Sequence, residues 1–438
     1  MKRLNLLFLL GLGCLPTLAC AQETQAISAG DSAWVLTSTA LVLLMTIPGL
    51  ALFYAGLVRE RNVLSVLMHC FAITALTSVL WVAFGYTMAF SQEGMSEGVR
   101  GWNAFVGSFD KLFLLGVTAT TPWGSIPEPL FCAFQMTFFI ITPALIVGAF
   151  VERIKFSAML WFVALWNLLV YLPVCHMVWG GKGAFFADLG VFDFAGGIVV
   201  HITAGMAAIV SCIMVGPRRD YPKSQILPHN LPMTVTGTGL LWVGWYGFNG
   251  GSALAANGSA AMAILVTHTS ASVAALTWML IEWMRGGKPS MLGLATGSIA
   301  GLAAITPASG YVGPLGAAII GLLSGVVCWW MCAAVKTRYK YDDSLDVFGV
   351  HGIGGFLGTI LVGIFASPKF GGNQADLDIL HQLGVQSFAA VSVGLYTFAV
   401  SVLILKGLRA TIGLRVNEQH EIGGLDLNTH GESGYNAL

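Results

Sequence analysis

Charge is what this sequence has least of. Only 10% of its 438 residues are Asp, Glu, Lys or Arg, against roughly 25% in an ordinary globular chain. So few charges cannot solvate the surface of a soluble fold, which excludes the about three soluble domains that length alone implies. An excess of either sign is missing too: 21 Lys and Arg balance 21 Asp and Glu. A formally neutral chain offers no basic surface for nucleic acid. Paired cysteines are also lacking. Cys70, Cys132, Cys175, Cys212, Cys328 and Cys332 all lie in apolar runs, and no Cys-x-x-Cys occurs. They read as small buried hydrophobes rather than disulfides or metal ligands, and the sequence calls for no cofactor. What is abundant is apolar: 56% hydrophobic residues and 54 Gly, which suit close helix approach in a bilayer. The expected fold class is an all-α polytopic membrane protein.

The first residues stand apart. Lys2 and Arg3 precede a short apolar core, Leu4 to Leu15, and a small-residue site at Ala19-Cys20-Ala21. That pattern predicts a secretory signal peptide over 1–21, cleaved after Ala21; an uncleaved anchor helix is the alternative. The membrane domain is expected over 22–412 and a polar cytoplasmic tail over 413–438. Runs able to cross ~30 Å of hydrocarbon recur near 33–58, 62–90, 126–151, 157–179, 194–217, 231–254, 258–284, 290–306, 311–335, 346–366 and 383–408, eleven in all. With the N-terminus outside, fifteen Lys and Arg fall on the cytoplasmic side and four on the external side, with two in the signal peptide. The positive-inside rule therefore assigns N-out, C-in. The external segment Ser91 to Ser125 either folds over the pore mouth or merely connects.

Repetition within the chain is weak but directional. The fifth span enters from outside as Asp193-Phe194-Ala195-Gly196-Gly197-Ile198-Val199-Val200-His201. The tenth enters from inside as Asp346-Val347-Phe348-Gly349-Val350-His351-Gly352. Five spans apart and opposite in direction, they predict an inverted five-plus-five repeat with an eleventh helix outside it. An ionisable residue in a span is a functional candidate by default, and His176 and His268 also lie in or near spans. A single membrane histidine is as often a hydrogen-bonded helix contact. The related settings of His201 and His351 favour these two as a pair. Side by side, one ring would donate and the other accept, offering hydrogen bonds to a small neutral molecule while resisting bare cations. Helical counting opposes the pairing. His201 lies about 12 Å below Asp193 and His351 about 7.5 Å above Asp346 at the helical rise, so the two meet only if Asp346 is itself sunk.

Aromatics gather at the outer mouth. Trp179 ends the outward-running fourth span; Phe134 and Phe138 lie one turn apart in the third, Phe248 and Ser252 one turn apart in the sixth. Rings and a hydroxyl would hold a small cation, at ~0.5–2 kcal/mol per ring. An interfacial aromatic belt is the bland alternative. Asp193 either biases this mouth toward cations or only caps its helix. Glu282 and Asp346 read as ordinary interfacial groups.

Several segments together resemble the ammonium transporter (Amt/Mep/Rh) family, and within it the bacterial AmtB branch. They are Met45 to Tyr54, Glu152 to Ala158, His176-Met177-Val178-Trp179-Gly180-Gly181, Asp193 to His201, Phe248 to Ala253, Asp346 to Gly352, and the tail Leu425 to Glu432. The likeness covers essentially the whole chain after the signal peptide. It implies a non-enzymatic transporter of ammonium, ammonia and methylammonium, a homotrimer in the cell inner membrane with a pore in each subunit and lipid around it. By the resemblance, Trp179, Phe138, Phe134 and Ser252 form the external recruitment site, with Asp193 beside it and needed for transport. Phe138 and Phe248 are the stacked gate, and His201 and His351 the twin histidines of the conduction path. The tail is the part that answers to a PII-type signal protein. A second reading, an ammonium sensor that hardly transports, needs an output domain or partner that the short tail does not itself supply. An intramembrane metalloenzyme would need a third ligand beside the two histidines.

Overall fold

A computed structural model describes residues 26–223 and 226–435; the signal-peptide cleavage site lies outside them. Among the described residues nine helices are long and apolar enough to cross a membrane. They are α1 (Ala29–Leu57), α2 (Glu60–Phe90), α3 (Glu128–Ala149), α4 (Phe156–Trp179), α5 (Gly197–Val215), α7 (Gly258–Gly286), α9 (Pro314–Tyr339), α10 (Phe348–Phe365) and α11 (Ile379–Thr411). Two more helical segments occupy the places of the other expected spans: α6 over 231–250 and α8 (Met291–Ile305). The first is thinned by Thr, Gly and Asn, and the second is only 15 residues long.

The helices begin where side chains satisfy their free N–H groups. Ser28 caps α1, Asn257 caps α7, Ser290 caps α8 and Asp378 caps α11. The segment 91–125 does more than connect. It carries short helical turns and a two-stranded hairpin, β1 (Pro122–Trp123) with β2 (Ile126–Pro127). His176 pins it: Nδ1 lies 2.9 Å from Ala89 O and Nε2 2.8 Å from Asn103 O. That explains His176 as a structural histidine. Lys111 adds an ion pair to Glu128 at 2.5 Å.

The helix ends around Arg153 are tied by charges rather than left to solvent. Arg153 is fully buried and donates to Gly216 O, Val151 O, Ala149 O, Asp342 O and Ser344 Oγ. Asp342 pairs with Arg218 at 2.9 Å, Arg218 with Glu152 at 3.3 Å, and Glu152 with Arg59 at 3.1 Å. Burial raises the Asp342 carboxyl, but the Arg153 and Arg218 guanidiniums outweigh it and hold it down at about 2. The tail docks on this network. Arg415 forms a salt bridge to Glu421 of the short helix α12 (Glu418–Gly423), Glu421 accepts from Arg219 N, and Asp426 accepts from Leu64 N and Ser65 N.

Candidate functional site: a ring-lined path to two histidines

The two histidines touch. Their Nδ1 atoms are 3.3 Å apart and their rings stack with centroids at 5.2 Å. The counting argument failed because it took each acid to mark the membrane surface. α5 and α10 instead bring each histidine into the first turns of its helix, within the π-helical segments Gly197–Ile202 and Phe348–Gly352. The helices cross there because glycine permits it. A Cβ on Gly205 would overlap the Gly352 backbone, and one on Gly355 would stand 2.6 Å from His201 Cβ. Gly205 and Gly355 each lie four residues after a histidine, on the same helical face.

Hydrogen bonds assign the tautomers. The Thr306 hydroxyl donates to Leu302 O at 2.8 Å, so its lone pairs accept. One takes Trp245 Nε1–H at 2.9 Å and the other faces His201 Nε2 at 3.4 Å. His201 therefore carries its proton on Nε2 and accepts through Nδ1, which makes His351 Nδ1 the donor of the pair. Trp245 and Thr306 were not singled out by the sequence. They come from distant helices, and nothing in either segment's pattern marks them.

Outward from the pair runs a ladder of rings. His201 lies 6.1 Å from Phe248, Phe248 4.4 Å from Phe138, and Phe138 5.8 Å from Trp179, centroid to centroid. Phe134 meets Phe138 edge-on at 5.1 Å. Ser252 donates to Phe248 O at 2.8 Å, which leaves its oxygen lone pairs available. The structure thus gathers every aromatic residue singled out at the mouth into one contact chain. Phe134, Phe138 and Phe248 are buried inside the protein, not facing lipid.

Asp193 organises the outer end. Its Oδ1 accepts from Gly196 N and Gly197 N, and its Oδ2 from Ile198 N and Val199 N, at 2.5–3.0 Å. Its carbonyl oxygen accepts Trp179 Nε1–H at 2.8 Å, fixing the indole. A carboxylate has about four acceptor positions, and all four serve the backbone. Burial pushes its carboxyl up to about 6, with those four N–H groups pulling the other way.

Beside Phe248, His201 and His351 share a small chamber of about 10 Å³ with Trp245, Val200, Leu241 and other apolar side chains. That is room for about one water-sized molecule. His351 also lines a second cavity, of about 750 Å³. Lys336, Asp346, Glu282 and Tyr54 line it too.

The acid that mirrors Asp193 is not Asp346. Asp346 has φ +60° and pairs with Lys336. The helix that carries His351 is capped by Asp343, whose Oδ2 accepts from Phe348 N at 2.7 Å. Asp193 and Asp343 each precede their histidine by eight residues, a spacing the sequence already displays. Among the described residues no group of three or more His, Cys, Asp or Glu is arranged to hold a metal ion.

The model of the Ammonium Transporter Family matches residues 33–435. A putative ammonium transporter of Methanothermobacter thermautotrophicus is 47% identical, over 93% of this chain and 99% of its own length. An ammonium transporter of Bacillus subtilis is 44% identical, over 93% and 98%. Among solved structures, Candida albicans Mep2 superposes with a TM-score of 0.81 at 32% identity, over 90% of this chain and 88% of its own. A protein described as Sensor Amt Protein does so with 0.83 at 28% identity, over 91% and 98%. With its family match spanning almost every described residue, its ring ladder and its histidine pair, the chain belongs to the ammonium transporter family.

Proposed function

We propose that the protein takes up ammonium by stripping it to ammonia. The ammonium ion is recruited at the outer mouth by Trp179, Phe138, Phe134 and the Ser252 hydroxyl. Asp193 acts at one remove, since its oxygens are occupied: it orients Trp179 and places negative charge behind the rings. The ion loses a proton there. Neutral ammonia passes between Phe138 and Phe248 and hydrogen-bonds along His201 and His351, and the proton follows separately. What carries this reading is the chamber, whose polar groups are two imidazoles and an indole among aliphatic and phenyl walls. An unpaired cation there is far more costly than a neutral amine.

The working unit we propose is a homotrimer in the inner membrane, N-terminus outside, with eleven crossing helices in an inverted five-plus-five repeat plus one. Large exposed apolar side chains along the helices, such as Leu395, Leu403 and Val79, suit lipid and neighbouring subunits. A PII-type signal protein would meet the cytoplasmic face where the tail docks. Uptake of labelled methylammonium tests the recruitment step. Replacing one ring, Trp179→Leu, is expected to raise the half-saturating concentration by about 2- to 30-fold, the equivalent of ~0.5–2 kcal/mol. Unchanged half-saturation would remove Trp179 from the site.

A further inference from the structure

The cytoplasmic end holds a buried carboxyl that the path above leaves unused. Asp343 caps α10 in the register in which Asp193 caps α5: Oδ2 accepts from the fifth residue on, Phe348 N in one case and Ile198 N in the other. There the likeness stops. Both oxygens of Asp193 are fully engaged, whereas Asp343 Oδ1 is buried and has no hydrogen-bond partner among the described residues, in a residue only 1% exposed. A bare carboxylate oxygen in the interior is costly, and a proton on it removes the cost. A group needed only as a helix cap has no use for that second oxygen.

The charged and titratable groups around Asp343 are Asp346, Lys336, Tyr341 and Cys332 at the α9–α10 junction, Tyr54 of α1 and Cys212 of α5. Burial first, then the Asp346 carboxylate, push the Asp343 carboxyl up to about 7, against the Lys336 cation and the N–H groups of Phe348 and Val347. Lys336, Asp346 and Tyr54 also line the wide inner cavity that His351 shares. Asp343 therefore sits just behind the wall where ammonia leaves the histidines.

We propose that Asp343 is the group that releases the transported proton on the cytoplasmic side. The inference rests on the ammonia-plus-proton reading above. Its O–H bond breaks, the proton forms an N–H bond on ammonia in the inner cavity, and ammonium departs. The carboxylate is reloaded by the proton that ammonium gave up outside. One ammonium ion enters per cycle and nothing is oxidised or reduced. Lys336 and Asp346 are positioning charges that set how readily the proton leaves.

The test is ammonium-evoked current in proteoliposomes at fixed outer pH with inner pH varied. In the native protein the current should fall severalfold as inner pH drops from about 8 to about 6, because a carboxyl that stays protonated cannot release. Asp343→Asn keeps an oxygen for Phe348 N but cannot titrate. Its current should fall at least about tenfold and lose the inner-pH dependence, with half-saturating ammonium unchanged. An Asn variant with the native current and profile overturns the assignment, and so does a native current that ignores inner pH. If the Asn variant does not reach the membrane, Asp343→Glu decides: a retained carboxyl must shift the inner-pH midpoint, and an unmoved midpoint overturns the assignment. Uptake without any native current would instead defeat the proton-transfer reading on which this one stands.

Discussion

The two ends of the path use one backbone device in different surroundings. At the Trp179 end Asp193 gives both oxygens to the N–H groups of α5 and holds Trp179 through its carbonyl, among rings. At the other end Asp343 caps α10 with one oxygen, has no partner for the second among the described residues, and lies among Lys336, Asp346 and tyrosines beside a cavity of about 750 Å³. The cap explains why both histidines stand in the first turns of a helix. On the function proposed above, the surroundings differ because the ends have different tasks. Recruitment needs rings and a fixed charge that stays put, and release needs space and a carboxyl that lets go of its proton.

The comparison breaks most completely at the crossing itself. Gly205→Ala places a Cβ into the Gly352 backbone and forces α5 and α10 apart, at a cost of about 1–3 kcal/mol or more. Methylammonium uptake should drop at least about tenfold. Gly407→Ala, which meets nothing within 4 Å, should leave uptake as it was. Native-like uptake in Gly205→Ala would mean that the histidines do not need this separation.

Next in size is the charge network that supports the inner end. Arg153→Ala leaves the carbonyls of Ala149, Val151, Asp342 and Gly216 without their guanidinium donor and the Asp342 carboxylate with Arg218 alone, and should destabilise by about 3–5 kcal/mol, read as a lowered thermal midpoint in detergent. Lys182 and Glu97, at 3.6 Å, are 87% and 69% exposed, and Lys182→Ala should not move that midpoint. Equal shifts in the two variants would contradict the distinction between buried and solvated pairs.

A smaller effect sharpens the outer half. Asp193 is charged above about 6 and neutral below it. Its attraction for cations is fully present above that pH and lost as external pH falls through it. The half-saturating methylammonium concentration should rise severalfold between external pH of about 7 and 5, and a flat profile would exclude the Asp193 charge from recruitment.

Much of this architecture was readable in the residues. Apolar runs locate the helices because each must bury about 20 apolar residues in hydrocarbon, and only 231–250 and Met291–Ile305 fall short on apolar content or length. Trp179, Phe138, Phe248, His201 and His351 were readable as candidates, and the structure joins them in one chain of contacts. Adjacency was not readable, since counting along a helix gives depth only when the helix starts at the surface. Asp346 drew attention because it opens the apolar run, while its left-handed backbone and its pairing with Lys336 are tertiary facts. The shared eight-residue spacing would have pointed to Asp343. Thr306 and Trp245 had no such signal, because a tautomer is set by whatever the fold brings to the other ring nitrogen.

The central claim is that ammonia and a proton travel separately past His201 and His351. Ammonium-evoked current in proteoliposomes, compared between the native protein and His201→Ala, tests it most directly. The account predicts a current in the native protein and its loss in the variant, in which the pair no longer exists. Uptake of ammonium by the native protein without any current would contradict it.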